Sequence, residues 1–169
     1  MVKKQYKKNI MLENIKTILK KNEIPFETRI ENKIEVISTA IYCNNNNEDI
    51  VNALEIMKVD GIEEKTKGLS LVQFFLTINL EINSDKAQRD EVMKMISYLN
   101  YTLAIGAFIL YPGEKFIYLK YNLGLDENID LDLDLKVTRT RWVIENHLNQ
   151  YYKVFEGLSN SNKKFEDFL

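Results

Sequence analysis

Hydrophobic periods change in a fixed order along this chain, and that order limits the folds open to it. A stretch with helical spacing comes first. Several stretches with strand spacing follow, then a helix, a tight hairpin and a long final helix. Such an order predicts one compact α+β domain. The clearest strand covers residues 70–82, where Val72, Phe74, Leu76, Ile78, Leu80 and Ile82 alternate with Gln73, Phe75, Thr77, Asn79 and Glu81. Strict period two gives a strand with one buried and one wetter face. Phe75 falls on the wetter face, where a large ring calls for a cover.

The other elements follow from local chemistry. Over residues 10–21, Met11, Leu12, Ile15, Ile18 and Leu19 share one helical arc, Asn9 is the N-cap, and Lys20 and Lys21 sit where the helix dipole favours cations. Asn22 and Pro25 end that helix. Residues 24–30 and 33–43 read as strands joined at Glu31-Asn32, and Asn44-Asn45-Asn46-Asn47 as a loop. Residues 50–59 fit a strand, with a helical turn over 53–58 as the competing reading; residues 61–68 form a charged loop. Ser84-Asp85 starts a second helix, with Asp85 and Gln88 at capping-box spacing and Val92, Met95, Ile96 and Leu99 as its stripe. Residues 103–111 and 115–123 form a hairpin around Pro112-Gly113, where Pro fixes φ and Gly permits φ > 0. A last helix spans residues 135–158 with Val137, Ile144, Leu148, Tyr151, Phe155 and Leu158 inward; residues 157–164 read as fraying or turn.

At 169 residues, with 45% hydrophobic and 28% charged side chains, the chain suits one soluble domain: a basic lead-in over residues 1–8, the domain over 9–158 and a tail over 159–169. A net charge of −2 argues neither for nor against nucleic acid. One cysteine, Cys43, forbids an intrachain disulfide and fits a reducing compartment. The basic start lacks the apolar core and cleavage site of a signal peptide, and no stretch is apolar enough to span a bilayer. The expectation is a cytoplasmic protein without membrane insertion.

Residues 103–108, Leu-Ala-Ile-Gly-Ala-Phe, then a Pro-Gly turn, then residues 116–123, Phe-Ile-Tyr-Leu-Lys-Tyr-Asn-Leu, carry a resemblance. Ile78-Asn79 before the second helix and Tyr151-Tyr152 near the end of the last helix add to it. With the order α-β(3–4)-α-β-β-α, the chain resembles the YbjN-like group, which shares the fold of the type III secretion chaperones. The resemblance covers about residues 10–158. It implies an antiparallel sheet flanked by helices, frequently in a homodimer, and a role in binding a segment of another protein. It brings no catalytic residues.

The residues themselves offer little chemistry. Asp130-Leu131-Asp132-Leu133-Asp134 opens like a calcium loop, yet the sixth position is Leu135 where Gly is needed and the twelfth is Arg141 where Glu is needed. The run reads as charge gathered before a helix N-terminus. His147, the one histidine, reads as a core or boundary residue, and Cys43 as a small buried hydrophobe. The six glycines show no phosphate-loop spacing. No cofactor, metal or catalytic group is expected.

Two function classes lead, and an enzyme whose site is assembled from scattered Glu, Tyr and Lys is a third reading that convergent titratable groups in a pocket would support. The first is a non-enzymatic protein-binding module, chaperone-like or adaptor-like, with Trp142, Phe75 and Lys153 as partner-binding residues. Trp142 sits about 160° from Ile144 on the helix, among Asn146, Asn149 and Lys153. The competing reading is that Phe165 and Phe168 of the tail fold over Trp142. The second class is a nucleic-acid or anionic-surface binder using Lys3, Lys4, Lys7 and Lys8, which belong to a segment with seven lysines against one anion, Glu13, in its first 21 residues. No aromatic interleaving accompanies them, so nucleic acid is the less favoured partner.

Overall fold

The computed structural model describes residues 9–45, 48–59, 69–82, 85–103, 105–126, 132–160 and 163–169. Asn9 caps the first helix as its residue type demands: its side chain accepts from the backbone N–H of Met11 at 3.2 Å and of Leu12 at 3.4 Å. That helix, α1 (Ile10–Lys21), buries Met11, Leu12, Ile15, Ile18 and Leu19 on one face. Four strands follow: β1 (Phe26–Glu31), β2 (Ile34–Asn45), β3 (Glu48–Val59) and β4 (Leu69–Glu81). Then come α2 (Lys86–Thr102), β5 (Ala107–Ile109), β6 (Phe116–Asp126), α3 (Leu133–Asn160) and a 3₁₀ turn over Phe165–Phe168.

Six strands form one antiparallel sheet in the order β1-β2-β3-β4-β6-β5. The first four make a meander. The chain then leaves β4, crosses through α2 to the edge as β5, and returns as β6 between the two. The fold is therefore α+β with a six-stranded sheet and three helices among the described residues.

Alternation along the strands sorts the two faces. Ile37, Thr39, Ile41 and Cys43 of β2 stand opposite Ile56, Leu54, Asn52 and Ile50 of β3, and Leu54 and Ile56 stand opposite Leu76 and Phe74 of β4. Across β6 the row continues through Leu119 and Tyr121. The core gathers on this face, with α1, α2 and α3 packed over it. Each fully buried Leu, Ile or Phe here contributes about 1.5–3 kcal/mol by area removed from water.

β4 and β6 fall out of register near one end: between Thr77 and Glu81 four steps along β4 match two along β6. Side chains satisfy the backbone there. Asn52, fully buried, accepts from the Asn79 N–H at 2.8 Å and donates to Ile50 O at 3.0 Å. The Tyr152 hydroxyl of α3 donates to Asn79 O at 3.2 Å.

Several expectations shift. The β1–β2 turn is Asn32-Lys33, both at positive φ (49° and 71°), one residue later than read. Residues 50–59 are strand, and Asn44 and Asn45 extend β2 opposite Asp49 and Glu48 instead of looping. Asp85 makes no side-chain cap bond, so the capping box does not form. β5 has only three residues, because Gly106 at φ 80° turns the chain just before it. Pro112-Gly113 is a tight turn as read, with Gly113 at φ 81° and Glu114 N–H bonded to Tyr111 O at 3.1 Å. α3 starts earlier and runs on to Asn160, so residues 157–160 are helix where fraying was expected; it buries Tyr152 and leaves Tyr151 half-exposed. The Asn46-Asn47 tip, the charged loop of residues 61–68, Asp130 and Lys3, Lys4, Lys7 and Lys8 lie outside the described residues.

Candidate functional site

The three helices share one side of the sheet, so the strand residues of opposite parity face away from them. β4 sends Gln73, Phe75 and Thr77 to this open face, and β6 sends Tyr118 and Lys120. Strand order then decides what meets. Phase alone puts Phe75 and Tyr118 outward; adjacency of β4 and β6 makes them neighbours. Their rings stack with centroids 4.9 Å apart and planes at 27°. Tyr111, beyond β5, leans on Tyr118 at 5.7 Å. Such stacking contributes roughly 0.5–1.5 kcal/mol beyond area burial. The cover that Phe75 calls for is thus partly another aromatic of the same face.

Charge brackets this aromatic patch. Glu55 and Lys120 stand directly opposite Phe75 on the two neighbouring strands. Arg29 donates to both Glu31 and Glu55, joining β1 to β3 across β2. Burial and the nearby Glu114 carboxylate push the Tyr118 phenol up, so it stays a neutral donor, 3.4 Å from Glu114. The face therefore offers stacked rings, a hydroxyl and both signs of charge: chemistry for binding a mixed surface.

Nearer β1 the same face hollows out. Ser38, Ala40 and Ala53 are too small to fill it, and Pro25, Glu27 and Val51 stand around a shallow depression of about 490 Å³. β1 ends here, at Phe26 opposite Thr39, and no described strand pairs with β2 beyond that point on that side. The Arg141 side chain of α3 reaches this end of β2 and donates to Ala40 O. Burial lowers the Arg141 pKa, and its second terminal nitrogen, Nη1, is enclosed without a hydrogen-bond partner.

Trp142 and Phe75 are not brought together. Phe75 lies on the open face; Trp142 lies on α3, in the layer covering the opposite face, and is 64% exposed. Lys153 shares the outward side of that helix, eleven residues and about 16 Å further along. The tail does not fold over Trp142. Phe165 packs edge-on against Tyr98 of α2 at 5.7 Å, its N–H bonds Glu91 at 2.7 Å, and Phe168 lies against Gly157.

Cys43 lies near Tyr152, Lys153 and Glu156 of α3. Cys43 is 1% exposed, and burial raises its thiol pKa. His147 is half-buried against Tyr151, and burial lowers its pKa. Asp134 pairs with Lys21 of α1 at 2.5 Å, which lowers its carboxyl pKa and ties α3 to α1. No three His, Cys, Asp or Glu residues converge on a metal-sized space among the described residues. No described helix is long and apolar enough to cross a membrane.

Reading the sequence singled out Phe75 but missed Tyr118, Tyr111, Arg29 and Glu55. The aromatic alternation of residues 116–123 carried the signal for Tyr118; which strand it would lie beside is information no local pattern holds. Comparison with family models and with curated proteins finds no match to this chain.

Proposed function

We propose that this protein is a non-enzymatic binding module, chaperone-like or adaptor-like, that holds a segment of a partner protein on the open face of its sheet. In this reading it works in the cytoplasm, which its single cysteine fits, and as a homodimer, as the resemblance to the YbjN-like and type III secretion chaperone group implies. The observation supporting the reading is the half-exposed Phe75–Tyr118 stack on the sheet face opposite the three described helices. Half-exposed aromatics inside a charged border are the composition of a protein-recognition patch.

Affinity capture from the host, read by mass spectrometry, tests it with the wild-type chain, Phe75→Ala and Trp142→Ala in parallel. A defined protein retained by the wild type and lost with Phe75→Ala is the expected result. Retention by Phe75→Ala with loss by Trp142→Ala moves the site to α3 and ends the open-face assignment. Capture of nucleic acid alone replaces the module with the anion-binding reading of Lys3, Lys4, Lys7 and Lys8.

A further inference from the structure

The sheet ends on two strands, and the two edges are built differently. At β5 the side-chain amide of Asn100 occupies the outer backbone: its Nδ2 donates to Phe108 O and its Oδ1 accepts from the Phe108 N–H, both at 2.8 Å. That edge is closed to another strand. At β1 no described side chain bonds the outer backbone. The strand is exposed from Glu27 to Glu31, with Ile30 63% exposed, and no described helix overhangs it. A β edge left with unpaired N–H and C=O groups is a template for another strand.

The β1 sequence selects which strand. We propose that β1 is a dimer seam: two copies of this chain pair antiparallel through β1 about a two-fold axis at Thr28, joining two six-stranded sheets into one. Antiparallel pairing requires residues of equal parity to face each other, because only alternate residues turn their backbone groups outward. That leaves axes passing through a residue. An axis at Glu27 sets Glu27 against Glu27 of the second copy. An axis at Arg29 sets Arg29 against Arg29 and Glu27 against Glu31. The axis at Ile30 overlaps only three strand residues before the positive-φ turn at Asn32-Lys33.

The axis at Thr28 aligns five residues with no like charges opposed. Glu27 faces Arg29 of the second copy twice over, and Phe26 faces Ile30 twice over. Charged pairs fall on the open face and apolar pairs on the helix side, so both faces continue across the seam. Charges on an edge strand ordinarily reject pairing; here their order, Glu-Thr-Arg, reads as its own complement when reversed. The inference rests on the homodimer within the function proposed above and supplies its geometry.

Cysteine cross-linking tests it on the full chain. Thr28→Cys places the two thiols directly opposite, at Cα separations of about 4.5–5.5 Å, inside disulfide range. Ile30→Cys and Glu31→Cys lie four and six residues out of line, about 14 and 20 Å apart, beyond that range. All three sites are exposed, and Cys43 is buried and will not compete. Under mild oxidant the expected result is a covalent dimer with Thr28→Cys, several-fold above either control. Glu27→Arg, which meets Arg29 of the second copy, is expected to weaken self-association in sedimentation. Equal cross-linking at all three sites, preferential cross-linking of Ile30→Cys, or a sedimenting dimer that Thr28→Cys does not link each overturns this seam and leaves a homodimer through another surface. A wild-type chain that sediments as a monomer at every concentration overturns the seam and the homodimer together. Capture through Phe75 is a separate readout in every case.

Discussion

His147 is a half-buried base whose ring rests on Tyr151. Burial lowers its pKa from the ordinary 6.5, so near and below that value the unfolded chain binds more protons than the folded one. Stability therefore falls as pH falls through this window. Asp134 and Glu91, whose carboxyl pKa values are lowered by Lys21 and Lys94, lose their contribution only in more acidic solution. The urea midpoint of the wild-type chain is expected to drop between about pH 7 and pH 5.5, and His147→Gln to flatten that slope. Parallel slopes for the two chains would remove His147 from the account. The boundary character of this residue was readable from its place on the helical arc. Trp142 was readable in the same way, while the path of the tail that leaves it bare was not, because that path depends on Phe165 finding Tyr98 of another helix.

Asn52 shows how elements are joined. It is a fully buried polar side chain that bridges β3 to the irregular end of β4. Replacing it with Leu keeps the volume and removes the acceptor of the Asn79 N–H, a loss of about 0.5–1.5 kcal/mol. Chemical denaturation of Asn52→Leu should show that deficit, whereas Asn122→Leu, on an exposed strand position, should change stability by less than about 0.5 kcal/mol. Helices α1 and α2 and strand β4 could be read from spacing, since their stripes answer to one buried face each. The failures cluster where tertiary contacts override local preference. Gly106 shortens β5, β3 draws Asn44 and Asn45 into a ladder against their turn preference, and packing carries α3 past Gly157, against which the Phe168 ring is pressed.

Among the described residues, the molecule is a sheet with helices on one face only and with unequal edges. Amide hydrogen exchange should rank its strands accordingly: slowest in β4, flanked on both sides and buried on alternate residues, and fastest in β1. If β1 is a dimer seam, its protection rises with protein concentration while that of β5 does not. A β1 that exchanges as slowly as β4 in dilute protein would contradict this ranking. The helix-free face could not be foreseen from periodicity, which shows that a strand has a wetter side and is silent on whether a second layer covers it. Phe75 was found because a large ring in a polar row is conspicuous; Tyr118 became visible only when β6 was seen to insert beside β4.

That insertion, together with the position of α3, sets a timetable for the chain as it is made. The β1–β4 meander pairs in order of synthesis, but β4 must keep one flank open until α2, β5 and the turn at Pro112-Gly113 have been made and β6 can enter. Even then the apolar side of the sheet lacks the Ile144, Leu148 and Phe155 that close it and the Tyr152 hydroxyl that satisfies Asn79. At typical synthesis speeds the 28 residues of α3 take on the order of a few seconds to add. For that interval the nascent chain carries a half-roofed apolar sheet, so the addition of the last helix is the step that closes its core.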